Sequence, residues 1–246
     1  MDTNNIYSNA GCVVFVPPPE LSPPFVYFSG TLIHPRVLLT AGHTAALLQN
    51  IPAMMPLLRI SFGAYALDPS TWHEIETAFV HPDYNPIHNQ SCNDVGVIIL
   101  EEPIYDVPLA TLSYEGFLDD LKAAQLLRQP GEGGVPFIVA GYGTTLEWPP
   151  PEIIPPDGWR RFAYTDYLAL TPGWLFNLIN PATGNGGTGY GDSGGPVFWI
   201  DTDGTLVLMA LTGHGDPYGL ATTIAWRVDI AGTLDFIDWV IDSLGE

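Results

Sequence analysis

Apolar residues along this chain gather in short runs rather than in helical stripes. "CVVFV" at 12–16, "FVYF" at 25–28, "RVLLT" at 36–40, "LLRISF" at 57–62, "VGVIIL" at 95–100, "FIVAGYG" at 137–143, "PVFWI" at 196–200 and "LVLMALTG" at 206–213 are bounded by turn-forming residues. Runs of this length, rich in β-branched and aromatic residues, predict strands of an all-β barrel or sandwich. The stretch "PPPELSPP" at 17–24 lacks the N–H groups a ladder needs, so it predicts a hairpin loop. "EWPPPEIIPPDG" at 147–158 predicts an exposed insertion. Helical spacing is confined to "LDDLKAAQLL" at 118–127 and "TLDFIDWVIDSLGE" at 233–246. In the second, Leu234, Ile237, Val240 and Ile241 share a face, Asp235 falls in the expected first turn and Gly245 suits the C-terminal cap. A lull in strand signal from about 101 to 134 divides the strands into two similar sets. The pattern predicts two β-barrels, residues 10–110 and 135–232, joined by a linker at 111–134 and followed by a C-terminal helix at 233–246.

Composition narrows the function more than the fold. Hydrophobic residues at 46% and aromatics at 12% can fill a core, so disorder is not expected. The net charge of −20, with 7 Lys and Arg against 27 Asp and Glu, excludes nucleic acid and anionic membranes as partners. The acidity itself reads as solubility, or as life at high salt. Cys12 and Cys92 match no metal-ligand spacing and leave open one disulfide or two buried thiols. No run approaches the roughly 20 apolar residues of a membrane helix. "MDTNNIYSNAG" has no signal-peptide pattern as written: either export does not use that route, or the sequence begins after a cleaved segment.

The stretch "GYGDSGGPV" at 189–197 fits G-x-S-x-G, a pattern that two unrelated hydrolase classes produce. A nucleophile elbow requires a helix after the serine and an acid and a histidine further on. Here Pro196 and "VFWI" follow, which is strand chemistry, and His214 is the sole downstream histidine. Partners are available upstream instead. "LLTAGHT" places His43 just after an apolar run, and "CNDVGVIIL" places Asp94 just before one. A serine hydroxyl needs a base to take its proton, imidazole titrates in the right range, and a carboxylate holds the imidazole tautomer.

These segments, in the order His, Asp, Ser, resemble the chymotrypsin/trypsin family of serine proteases. "SGTLIHPRVLLTAGH" looks like the strands leading to the family's histidine, "NDVGVIIL" like its aspartate segment and "GYGDSGGPV" like its serine loop. "FIVAGYGTT" and "RVDIAGTLDFIDWVIDSL" look like the start of its second barrel and its terminal strand and helix. The resemblance spans about 12–244. It implies two six-stranded antiparallel β-barrels (trypsin-like) with a C-terminal α-helix, and a serine endopeptidase that works through an acyl-enzyme without cofactor or metal. Ser193 is then the nucleophile, His43 the base and acid, Asp94 the orienting carboxylate, and the N–H groups of Gly191 and Ser193 the oxyanion hole. Glycine at such a cradle is physically reasonable, because a Cβ obstructs the approach.

By the same resemblance the primary pocket has Gly187 at its floor, Thr188 beside it, Thr212, Gly213 and His214 along a wall, and Thr223 with Ile224 on the facing strand. No carboxylate lies there, which argues against Lys or Arg substrates. Thr and His suit an acidic side chain, but a small or apolar one is the expectation. Several positions depart from the family. Phe28 and Thr44 replace its disulfide beside the histidine, and Gly189 replaces another cysteine. The segment that pairs with Asp192 on zymogen cleavage is missing, so Asp192 needs another partner or the backbone, and the enzyme is expected to need no such cleavage. His34, His73, His81 and His88 read as structural. Asp68, Glu74 and Glu76 read as a solvated turn, with a calcium loop as the alternative. Polypeptide substrates and a monomer are expected, and the family favours a secreted or extracytoplasmic location. A catalytically idle binding module and an esterase with little peptidase activity are the alternatives.

Overall fold

A computed structural model describes residues 1–87, 92–127, 136–147, 152–216 and 219–245. The first part of the chain supplies β1 (Ala10–Phe15), β2 (Phe25–His34), β3 (Val37–Thr40), helix α1 (Gly42–Asn50), β4 (Leu58–Ser61), β5 (Trp72–His73), β6 (Ile75–Val80) and β7 (Gly96–Leu100). Next come β8 (Thr111–Leu112) and α2 (Phe117–Ala123). The remainder holds β9 (Phe137–Gly141), β10 (Thr145–Glu147), β11 (Glu152–Ile154), β12 (Arg161–Leu170), β13 (Trp174–Leu178), β14 (Pro196–Ile200), β15 (Leu206–Gly215), β16 (Thr222–Arg227) and α3 (Ala231–Ser243).

The fold is mostly β, with two barrel-like sheets and a C-terminal helix, as the hydrophobic pattern predicts. The first sheet runs β5-β4-β1-β2-β3-β7-β6 and curls until it is nearly closed. It has seven strands rather than six because Glu74 separates the two-residue edge strand β5 from β6. The second sheet runs β14-β9-β12-β13-β16-β15, and a β14–β15 pairing closes this ring of six, with β8 added in parallel on β15. The Pro-rich run at 17–24 is the connection between β1 and β2, which pair antiparallel up to Phe15 and Phe25.

Alternation explains why several runs are apolar at every position. In β3 and β7, Leu38, Ile98 and Leu100 fill the first barrel, while Val37, Leu39, Val97 and Ile99 face the other way. In β9 and β14, Phe137, Val139, Val197 and Trp199 fill the second barrel, while Ile138, Ala140 and Phe198 face out of it. The outward sets meet in one shared core, closed by Trp226, Val228 and the Phe236, Ile237 and Val240 face of α3. Both faces of these strands are therefore buried, and period-2 polarity disappears.

Helix α3 begins at Ala231, so Asp235 lies beyond its first turn, contrary to expectation; Gly245 adopts φ +69° just after the C-cap Leu244, as a left-handed stop requires. Within 111–134, α2 docks on the second sheet: the Leu118 N–H donates to the buried Asp229 carboxylate (2.7 Å), which also pairs with Arg227 (2.8 Å). Residues 128–134 and His88 lie outside the described residues, as does the middle of the Pro-rich run at 147–158.

Phe198 is fully buried between the sheets. Phe198→Ala is expected to lower stability by about 3–5 kcal/mol, measured as a shift in urea midpoint at unchanged slope.

Candidate active site

His43 stands at the second position of α1, just past β3. No side chain from the preceding segment caps this helix. The free N–H of His43 instead donates to Asp94 Oδ1 at 2.8 Å. The same carboxylate lies 3.0 Å from His43 Nδ1 through each of its oxygens. Asp94 thus caps a helix N-terminus, where the dipole favours an anion, and holds the imidazole. The Asp94 side chain is 5% exposed and that of His43 38%. Two local features bring the aspartate in. Asn93 adopts φ +48° in a tight turn closed by Val95 N–H to Asn93 C=O (2.7 Å). Gly42 has no Cβ, which would come within 2.8 Å of Val95 N.

Ser193 comes from the other sheet, in the loop before β14, and is half-buried. The loop is tied across the seam to β2. The Ser29 N–H donates to Ser193 C=O (2.9 Å) and the Ser29 hydroxyl to Gly191 C=O (2.9 Å). Gly194, at φ +79°, has Thr40 Oγ1 where its Cβ would be, at 2.0 Å. Gly191 is also left-handed, at φ +97°. Among the described residues the N–H groups of Gly191 and Ser193 find no acceptor, and no hydrogen bond joins Ser193 to the His43 ring. Bonds of the latter kind are often long in unliganded sites.

Asp192 finds its partners in the backbone. Its Oδ1 accepts from Gly143 N–H and its Oδ2 from Gly189 N–H, both at 2.8 Å. Burial pushes its pKa up to about 6, against the opposing pull of these N–H groups and of Arg161. A Cβ on Gly141 would approach its carboxylate to 2.2 Å, so glycine there makes room for the acid.

His43 and Ser193 line one cleft of about 590 Å³ with Gly187, Thr188, Thr212, Gly213 and His214. Thr223 is fully buried and does not line it; its hydroxyl lies 3.0 Å from that of Thr188. His214 is exposed, its ring edge-on to Trp174 with centroids 5.2 Å apart. Sequence reading missed part of the wall: Leu146 and Ile153, paired across β10 and β11, Tyr190, and Ile179, which packs where Gly187 lacks a side chain. Ile153 belongs to the run expected as an exposed insertion, and Leu146 immediately precedes it.

Other candidates have structural partners. His34 Nδ1 accepts from Arg36 N–H, His73 packs on Phe62 with its pKa lowered by burial, and His81 is buried against Phe236. Asp68 accepts from Ser70 at a turn, Glu74 pairs with Arg59 and Glu76 with Arg36. Phe28 sits in the first barrel core and Thr44 donates to Ala41 C=O. Cys12 and Cys92 are free, buried thiols; burial, then the nearby Asp94, pushes Cys92 up to about 11. No protein-family model matches the chain, and no curated protein matches it.

Because Asp192 holds its proton more tightly folded than unfolded, its ionisation opposes folding, fully above about pH 6. Its contribution to stability should therefore rise as pH falls through about 6 toward the ordinary carboxylate range. Urea midpoints measured from pH 7 to 5 are expected to show this gain, and Asp192→Asn to flatten it.

Proposed function

We propose that this protein is a serine hydrolase of the chymotrypsin/trypsin type, an endopeptidase acting through an acyl-enzyme. The observation that carries the reading is that His43, held by Asp94, and Ser193 line one cleft, while the N–H groups of Gly191 and Ser193 in the same serine loop find no acceptor among the described residues. In this reading His43 takes the Ser193 proton as Oγ attacks the substrate carbonyl. The two N–H groups stabilise the oxyanion, the C–N bond breaks, and His43 delivers the proton to the leaving amine. Water activated by His43 then hydrolyses the ester. Asp94 keeps the imidazole in the tautomer whose Nε2 faces the nucleophile and stabilises the cation that forms.

The pocket supports a small or apolar side chain on the acyl side of the scissile bond. Thr188, Thr212 and Ile179 line it, and its two carboxylates are engaged by backbone, Asp192 by the N–H groups of Gly143 and Gly189 and Asp216 by those of Leu220 and Ala221, which argues against a lysine or arginine preference. His214 lies exposed beside Trp174, which weakens the case for an acidic side chain. Polypeptides are the proposed substrates.

A fluorophosphonate probe should label wild-type protein at Ser193 and leave folded Ser193→Ala unlabelled, with peptide hydrolysis reduced by a factor of about 10⁶. Asp94→Asn should reduce hydrolysis by about 10⁴ through the wrong imidazole tautomer. Folded wild-type protein that takes no label would overturn the nucleophile in favour of a binding module. The missing Ser193–His43 hydrogen bond is the observation that keeps that second reading open. Label without cleavage of any member of a peptide library would make it an esterase.

A further inference from the structure

A densely hydrogen-bonded residue near the site lies outside the cleft. Arg160 is fully buried, one position before β12, and its Nε donates to Asp2 Oδ2 at 2.9 Å. Asp2 is 2% exposed, and its backbone N–H returns a bond to Arg160 C=O at 2.8 Å. The Asp2 carboxylate also accepts from Ile6 and Tyr7 N–H at 2.8 and 3.0 Å, which folds residues 2–7 into a loop around it. The rest of the guanidinium reaches Ala10 C=O, Phe62 C=O and the Tyr142 hydroxyl, at 3.0, 3.0 and 2.9 Å, and the Asn5 side chain. The Tyr142 hydroxyl in turn donates to Gly63 C=O at 2.7 Å. A buried charge must be met on all sides, and only the planar fork of arginine can serve so many acceptors at once.

One line runs from this hub to the serine loop and another to the cleft wall. Tyr142 immediately precedes Gly143, whose N–H holds Asp192, and a Cβ on Gly143 would come within 2.6 Å of the Asp192 carboxylate. Tyr7, held by Asp2, packs on Phe162 with centroids 4.9 Å apart, and Phe162 lines the cleft.

We infer that Arg160, with Asp2 as its counter-ion, is a positioning residue for the serine loop: it sets the backbone at 141–143, and through Asp192 the direction of the Gly191 and Ser193 N–H groups. The rate part of this inference rests on the proposed function; the geometric part does not.

The test pairs two readouts on Asp2→Asn and Arg160→Lys: native-state amide exchange at Gly143 and Gly189, and the rate of fluorophosphonate labelling, with folding followed by near-UV circular dichroism. Asp2→Asn keeps the shape but removes the counter-ion, and a lysine cannot meet the same acceptors. Both variants are expected to exchange faster at Gly143 and Gly189 and to label more slowly by up to about a hundredfold, with kcat reduced and KM little changed. If either fails to fold, Tyr142→Phe, which removes only the phenol bridge, should move both readouts the same way by less. Native exchange in the folded variants overturns the inference, as does faster exchange with native labelling. If wild-type protein takes no label, the nucleophile reading falls and amide exchange alone decides.

Discussion

The apolar seam between the two sheets is the constraint on which everything else rests. Val37, Leu39, Val97 and Ile99 from the first sheet and Ile138, Ala140, Phe198, Leu208 and Leu211 from the second form one core with Trp226 and α3. His43 and Asp94 belong to one side of that seam and Ser193 to the other. Neither barrel holds the three together. Their relative placement is fixed by packing that excludes alternative registers, since a one-residue slip in any of these strands would exchange its inward and outward sets.

Polar contacts then refine what packing makes possible. Ser29 and Thr40, both fully buried, connect the strand that precedes His43 to the loop that carries Ser193. Asp94 serves a helix N-terminus through Oδ1 and an imidazole through both oxygens. Asp192, by contrast, stores unfavourable free energy: it is buried and met mainly by two backbone N–H groups. The arrangement places two buried carboxylates with different partners, an imidazole and a helix N-terminus for Asp94 and loop backbone for Asp192, on the two sides of the seam.

What could be read from the sequence follows from which faces are buried. Strands covered on both sides, such as β3, β7, β9 and β14, stand out as unbroken apolar runs. Strands with one wet face, such as β6 (Ile75–Val80) and β12 (Arg161–Leu170), mix polar residues in and were not singled out. Helix α1 was missed for a different reason: its cap is Asp94, 51 residues away, so no local signal marks its start. The triad candidates are legible because histidine, aspartate and a glycine-flanked serine occur beside apolar runs in that order. The pocket was less so. Thr223, expected on the facing strand of the pocket, is buried with its hydroxyl on Thr188 and does not line the cleft, while Ile153, from the run expected as a surface insertion, and Leu146 just before that run do. Such placement depends on how strands turn in space, which spacing along the chain does not encode.

The bond from the Ser29 hydroxyl to Gly191 C=O spans 162 residues of sequence. A contact of that separation forms late, because the loop it closes must lose its freedom before the bond repays it. His43 and Asp94 precede the serine loop in the chain, and nothing within the first sheet can shape that loop until residues 189–195 have joined it. The shape of the serine loop therefore arrives only with the second sheet, however early the rest of the chain takes form.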